Sequence, residues 1–268
     1  MPNYVDHIGY TIELENTPKR IVSLVPSQTE LLYDLGLENE VVGITKFCIH
    51  PNHWFRSKKR IGGTKNVHID WVADLKPDLI IANKEENVLE QVHELRKIAP
   101  VWTSDITCLS SAVRMIRDIG SITNTSEKAT TIANEIEYLF SQIEIPENKL
   151  NVLYLIWRDP YMVAGGDTFI HQMLGYCGCK NVVGNMNRYP SLSPLEIQKL
   201  NPDIVMLSSE PYPFKEKHLL ELQELLPNAR LLLVDGELFS WYGSRLLKSP
   251  SYFKELQSIF TNTNFNNL

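Results

Sequence analysis

The stretch Thr125-Ser126-Glu127-Lys128-Ala129-Thr130-Thr131-Ile132-Ala133-Asn134-Glu135-Ile136-Glu137-Tyr138-Leu139-Phe140-Ser141-Gln142-Ile143 decides how the rest of the chain divides. Ala129, Ile132, Ala133, Ile136, Leu139, Phe140 and Ile143 recur at spacings of three and four, which lines them along one helical face. Glu127, Lys128, Asn134, Glu135 and Glu137 fall mostly on the other. Thr125 or Ser126 caps the start, and Pro146 stops the helix. No Gly or Pro interrupts Ser121 to Ile145. At 1.5 Å per residue the helix would run about 28 Å. The stretches on either side alternate between strand-like and helix-like patterns. The expected organisation is an N-terminal α/β lobe over 1–123, a linking backbone helix over 124–146 and a C-terminal α/β lobe over 147–268.

Composition bounds what such lobes do. The chain has 268 residues, 43% of them hydrophobic and 22% charged, which suits a globular protein with a sizeable core. A net charge of −6 argues against nucleic acid as the main partner. No run of 18 apolar residues offers a membrane span. Met1 to Tyr10 lacks the basic and apolar regions of a signal peptide, so on the sequence alone a cytoplasmic address is open beside an exported one. The four cysteines, Cys48, Cys108, Cys177 and Cys179, do not form a zinc framework, and ordinary thiols are expected.

Along the first half, Val5 to Leu14 reads as a hairpin turning at Gly9. Arg20 to Val25 is a buried strand, and the helix Glu30 to Leu37 follows it. Ser27 or Gln28 would then sit at a helix N-terminus beyond a strand end, where free backbone N–H groups collect. Val41 to Thr45 is a strand, and Lys46 to Arg60 a polar loop carrying Lys46, Cys48, His50 and His53. Asp70 to Leu75 is a helix, Leu79 to Ala82 a strand, Val88 to Ile98 a helix, Pro100 to Thr103 a strand and Ser110 to Ile122 a helix. In the second half the strands are Leu150 to Trp157, Tyr161 to Ala164, Val182-Val183, Ile204 to Ser208 and Arg230 to Val234. The helices are Phe169 to Tyr176, Ser193 to Leu200, Lys217 to Leu225 and Ser251 to Phe260, with Phe239 to Gly243 a loop. Alternating strands and helices predict parallel sheets.

The halves echo each other. Leu75-Lys76-Pro77-Asp78-Leu79-Ile80-Ile81 matches Leu200-Asn201-Pro202-Asp203-Ile204-Val205-Met206 at a constant offset of 125, which also pairs Glu85 with Glu210. Glu40-Val41-Val42-Gly43 matches Asn181-Val182-Val183-Gly184 at an offset of 141. Two lobes of one plan follow. Ligands of open α/β sheets bind beyond the carboxyl ends of the strands, so a cleft between the lobes is expected.

Arg20-Ile21-Val22-Ser23-Leu24-Val25-Pro26-Ser27-Gln28-Thr29-Glu30-Leu31-Leu32, then Gly36-Leu37 and Val41-Val42-Gly43, resembles the opening of the helical-backbone (class III) periplasmic substrate-binding proteins of ABC importers, of the cobalamin- and ferric-siderophore-binding type. The resemblance continues through Gly62-Gly63-Thr64, the two Pro-Asp stretches and Gly165-Gly166, and covers nearly the whole chain. Ser240-Trp241-Tyr242-Gly243-Ser244-Arg245-Leu246 looks most like the cobalamin branch. The resemblance implies two Rossmann-like lobes on one long helix with little hinge motion, a shallow cleft for a large metal chelate, a monomer and a periplasmic or cell-envelope address. It also implies a glutamate on each lobe that docks into arginine pockets of a membrane permease. Glu85, Glu86 or Glu90 and Glu210 or Glu216 are the candidates.

Individual residues carry two readings each. Trp157, Tyr161, Tyr189, Trp241 and Tyr242 fall at strand ends or in loops, where they either hold a flat macrocycle or pack lobe edges. Arg158 and Arg245 offer fork-shaped donors to ligand oxygens, and for Arg245 the other reading is a surface or lobe-bracing ion pair. Ser27, Gln28, Lys46 and His50 complete the candidate ligand set. Cys48, His50 and His53 are weak metal candidates, since a structural zinc wants four ligands and one loop supplies three. No Ser–His–Asp order, phosphate loop or G-x-G-x-x-G appears, and the resemblance implies binding rather than catalysis, with no intrinsic cofactor. The cargo expected is cobalamin or a related corrinoid, then ferric siderophore or haem. The other reading is a cytoplasmic metal-handling protein or enzyme of the same fold without a transport role.

Overall fold

The structure is a computed structural model in which residues 2–261 are described. It divides into two compact α/β units. The first comprises the chain up to Glu137 together with Tyr242–Arg245, and the second comprises Tyr138–Trp241 and the chain from Leu246.

The first unit opens with the hairpin β1 (Asn3–Val5) and β2 (Thr11–Glu13), turning at Gly9 with φ +85°. Its sheet holds β3 (Ile21–Ser23), β4 (Val41–Ile44), β5 (Lys59–Arg60), β6 (Leu79–Asn83) and β7 (Val101–Ser104) in the order β5-β4-β3-β6-β7, all parallel. Helices α1 (Pro26–Asp34), α2 (Asn52–Ser57), α3 (Ile69–Asp74), α4 (Leu89–Leu95) and α5 (Leu109–Ile122) make the connections. Helix α1 begins four residues earlier than the pattern suggested because Pro26 sits at its first position with φ already set. The expected polar loop over 46–60 contains α2 and β5. Six residues are too few to show a helical period, and the anchor of α2 is a single fully buried Trp54.

Helix α6 (Ser126–Ser141) follows α5, and the division between the units falls inside it, after Glu137. Ala129, Ala133, Ile136 and Phe140 are buried along one face, and Ile143 continues the stripe beyond the helix. The helix ends two residues short of the sequence expectation. There Gln142 and Ile143 donate to the carbonyls of Leu139 and Phe140, the tighter i→i+3 pattern of a closing turn. The α5–α6 approach needs Gly120, where an added Cβ would come within 2.2 Å of the Ala129 Cβ.

In the second unit β8 (Leu150–Trp157) lies beside β12 (Ile204–Ser208), which lies beside β13 (Arg230–Val234), all parallel. β10 (Cys179–Asn181) pairs parallel with the start of β8. The strand expected at Val182-Val183 is therefore displaced to the residues just before it. β9 (Tyr161–Val163) and β11 (Ser191–Leu192) are antiparallel additions to the otherwise parallel sheet. For β9 the reason is the short link: Arg158-Asp159-Pro160 reverses the chain, and a parallel crossover needs a dozen residues or more. Helices α7 (Phe169–Tyr176), α8 (Pro194–Leu200), α9 (Glu216–Leu225), α10 (Glu237–Ser240) and α11 (Ser249–Thr261) complete it. α10 lies where a loop was expected, being a single turn. Gly166 is required by close packing, since a Cβ there would meet the Gly184 carbonyl oxygen at 2.0 Å.

The sequence echo has a physical cause. In each unit a helix ends, Lys76 (φ 45°) or Asn201 (φ 43°) turns left-handed, a proline follows, and an aspartate precedes the strand. The Asp78 carboxylate accepts the backbone N–H groups of Lys19 (2.7 Å) and Arg20 (2.8 Å) just before β3. The Asp203 carboxylate accepts the N–H of Asn151 in β8 (2.7 Å). Each aspartate thus pins the start of the neighbouring strand and fixes register. Asp78→Ala is expected to destabilise by about 1–3 kcal/mol and Asp203→Ala by less, because two amides lose an acceptor in one case and one in the other. Urea unfolding of the two variants measures the difference.

Candidate functional site

The carboxyl ends of the parallel strands collect most of the candidate residues. In the first unit these are the loops after β3, β4, β6 and β7, held by a buried polar network. Gln28 donates Nε2–H to Ser104 Oγ (2.5 Å), and Asn83 donates to the same oxygen (2.9 Å). Asn87 Oδ1 accepts the Asn83 N–H, and its amide donates to the Thr64 carbonyl in the Gly62-Gly63-Thr64 turn. Gln28 is thus a fully buried strut of the strand-end loops, and Ser27 is 5% exposed with its carbonyl against Gly243. Neither presents its side chain on a free helix end.

The loop after β4 is open. Lys46 is exposed, with Nζ 5.0 Å from the Phe47 ring centroid, and Phe47 is itself 50% exposed. Phe47 is an aromatic at a strand end that the sequence reading passed over, because a single Phe in a polar loop gives no periodic signal. His50 is half-buried. Cys48 is buried, its sulfur 3.1 Å from Thr29 Oγ1 and 3.2 Å from Thr45 Oγ1. Burial pushes its thiol up, against the hydrogen bonds from the two threonines. His53 is exposed and faces Glu38 at 3.5 Å. The three metal candidates thus face different surroundings, and no group of three or more His, Cys, Asp or Glu that would hold a metal ion occurs among the described residues. All four cysteines are free thiols.

In the second unit Trp157 ends β8 with 39% exposure and meets Tyr212 edge-on at 5.6 Å. Beside it Arg158 grips Glu221 with Nη2 at 2.8 Å from both carboxylate oxygens, and Tyr161 donates to the same carboxylate at 3.0 Å. The Arg158 hydrogen bonds hold the Glu221 carboxyl below its ordinary range. Arg158 is a brace between the β8 end and α9. Tyr212 in turn accepts from buried His218: Nδ1 of that ring takes the Lys215 N–H (2.9 Å), so the proton is on Nε2 and points to Tyr212 Oη (3.2 Å). Burial pushes His218 below its ordinary value. Tyr189 is half-buried beside Arg188, whose guanidinium carbon is 5.7 Å from its ring.

The acidic candidates separate by environment. Glu90 and Glu216 are exposed first-turn residues of α4 and α9, the helices that follow the echoed strands β6 and β12. Glu85 and Glu86 are half-buried, their backbone N–H groups on Asn83 Oδ1. Glu210 points inward: Oε1 accepts from Trp241 Nε1 (2.9 Å) and from the Ser240 hydroxyl. Burial pushes the Glu210 carboxyl above its ordinary value, with Glu237 and Asp235 adding to the rise and the two hydrogen bonds opposing it. Trp241 is only 6% exposed, fixed by this carboxylate.

Tyr242 and Arg245 belong to the first unit. Arg245 makes a buried two-point pair with Glu30 on α1, Nε to Oε2 at 2.7 Å and Nη2 to Oε1 at 2.8 Å. Between the readings of Arg245 as a ligand fork and as a brace, its geometry is that of a brace. Tyr242 is 7% exposed.

These features define a class: an α/β protein of two similar sheets whose strand-end loops carry exposed aromatics on a hydrogen-bonded scaffold. A family profile described as "Periplasmic binding protein" matches residues 21–231, and the chain belongs to that family, whose members are transport components rather than enzymes. Its fold is that of the helical-backbone (class III) kind, and its relatives include ABC transporter substrate-binding proteins. Among relatives, an uncharacterized ABC transporter substrate-binding lipoprotein, YvrC, of Bacillus subtilis strain 168 is 27% identical over 213 residues, 75% of this chain and 67% of the relative. A vitamin B12-binding protein of Vibrio parahaemolyticus is 21% identical over 204 residues, 74% of each chain. Among solved structures, the periplasmic heme-binding protein RhuT from Roseiflexus sp. RS-1 superposes with a TM-score of 0.79 at 20% identity, covering 90% of this chain and 98% of that one. No helix among the described residues is long and apolar enough to cross a membrane.

Two outcomes test the scaffold. Arg245→Ala leaves Glu30 buried and unpaired, and is expected to cost about 3–5 kcal/mol in urea unfolding. For Glu210 the folded-state value lies above the unfolded one. Its contribution is therefore full below the ordinary carboxylate range and is lost as pH rises through the folded value. Glu210→Gln keeps an acceptor for Trp241 and Ser240 without the charge. Its stability relative to the parent is expected to rise from pH 4.5 to pH 7, whereas Glu210→Ala loses the acceptor and is less stable than Glu210→Gln throughout.

Proposed function

We propose that the protein is the substrate-binding component of an ABC importer that captures a metal-chelate nutrient outside the cytoplasm and hands it to a membrane permease. Cobalamin or a related corrinoid is the first candidate cargo, and haem or a ferric siderophore the second. The observation that carries this reading is Trp157, a large aromatic left 39% exposed at the carboxyl end of a central parallel strand, where α/β sheets take their ligands. Phe47 in the first unit has the same kind of position. Faces and edges of such rings suit a flat macrocycle. The relative named as a vitamin B12-binding protein supports the ranking of cobalamin, and the fold neighbour named as heme-binding supports keeping haem second.

Within this reading Phe47, Lys46, His50, Trp157 and Tyr189 are the ligand-contact residues. Gln28, Arg158, Trp241, Tyr242 and Arg245 build the scaffold beneath them. The permease-docking acids are Glu90 and Glu216, each exposed at the start of the helix after an echoed strand. The relative described as a lipoprotein supports an address at the cell envelope.

Titration of the apo protein with cyanocobalamin, haemin and a panel of ferric siderophores, followed by tryptophan quenching and calorimetry, tests the proposal. Micromolar or tighter one-to-one binding of one chelate is expected, weakened about tenfold by Trp157→Ala. No saturable binding to any of them overturns it.

A further inference from the structure

The second unit carries a pocket far from the strand-end loops. Its volume is about 510 Å³, and Lys149, His171, Gly175, Lys180, Asn181 and Asn185 are among its lining residues. It lies by β10, where Cys179 pairs with Leu150, the first residue of β8, whereas Trp157 is the last. At the rise of an extended strand these ends are about 23 Å apart, so the pocket is not part of the proposed cargo site.

Its chemistry is one-sided. The protein carries a net charge of −6, yet no Asp or Glu lines this pocket. Lys149 and Lys180 are exposed, and among the described residues neither has a salt-bridge partner. The Asn181 amide is fixed by two backbone groups: Nδ2 donates to the Ala164 carbonyl (2.8 Å), and Oδ1 accepts the Val183 N–H (3.1 Å). Its second amide hydrogen therefore faces His171 Nδ1 at 3.3 Å, so Nδ1 accepts and the ring carries its proton on Nε2. His171 thus offers a fixed donor, and two ammonium groups add charge. Donors and positive charge without a competing carboxylate select an anion. The volume falls within the roughly 300–1,000 Å³ of small-molecule sites.

We infer that this pocket is a second binding site, for a phosphate-bearing anion, separate from the cargo site. The group arrives either as a free phosphate compound or as the headgroup of an anionic lipid. The fold supplies clean variants. The two lysines are exposed, so Lys149→Gln/Lys180→Gln removes charge without touching the core. A Cβ at Gly175 would meet nothing within 4 Å, so Gly175→Gln fills the pocket without strain and improves the helix.

The test uses the full chain at low ionic strength. Calorimetric titration with pyrophosphate reads the free-phosphate arm. Flotation with phosphatidylglycerol vesicles against phosphatidylcholine vesicles reads the lipid arm. Saturable binding in either arm, weakened at least about tenfold in both variants and accompanied by a shift of the His171 Nε2 signal in ¹⁵N-edited imidazole spectra, supports the inference and names the source. Absence of saturable binding in both arms, or equal binding by parent and variants, overturns it. Chelate binding is unaffected in these variants whichever result is found.

Discussion

The ion pair between Arg245 and Glu30 joins residues 215 positions apart and is buried on both sides. It holds Tyr242–Arg245 in the first unit although Trp241 before it and Leu246 after it belong to the second. Removing two charges from water is costly, and a buried pair repays that only with good geometry. Here both carboxylate oxygens are engaged, at 2.7 and 2.8 Å. What the pair supplies is placement: the chain end returns to α1 at one defined point, with Gly243 against the Ser27 carbonyl. Trp241 is meanwhile fixed in the second unit by Glu210. Two adjacent aromatics, Trp241 and Tyr242, are thus committed to different units by two carboxylates.

Each unit repeats the same solution for starting its sheet. A left-handed residue, a proline and an aspartate convert a helix end into a strand, and the aspartate reaches sideways to the neighbouring strand's amides. That device leaves the opposite, carboxyl ends of the strands for loops. In the first unit a chain of Gln28, Ser104, Asn83 and Asn87 hydrogen bonds stiffens them. In the second, Arg158, Glu221, Tyr161, Tyr212 and His218 do so. Exposed Phe47 and Trp157 lie in these strand-end loops, and a surface organised beforehand lowers the cost of any binding.

The alternation of strands and helices, the helix through Ala129, Ala133, Ile136 and Phe140, and the Pro-Asp echo were legible in the sequence because each rests on local periodicity or local backbone chemistry. Short elements anchored by one long-range contact were not: α2 depends on buried Trp54, and α10 is one turn. Side-chain roles were harder still. Glu85 and Glu210 match in the echo, yet Glu210 turns inward to Trp241. Arg245 and Arg158 read alike as loop arginines, and only their partners, Glu30 and Glu221, distinguish a buried pair from a half-exposed one. Such partners lie 63 and 215 residues away, beyond any local pattern. Phe47 is marked by exposure alone, which no local pattern carries.

An α/β frame used twice presents aromatic side chains on its strand-end surfaces, in a family of transport components. The proposed function requires that those loops hold a metal chelate. The most direct measurement is an anomalous difference map, recorded at the metal's absorption edge, from crystals grown with the chelate that binds in solution. One dominant peak is expected close to a strand-end loop, near enough to Trp157 or Phe47 for the macrocycle to touch an exposed ring. A map whose only peak lies elsewhere, for instance beside His171, would contradict it.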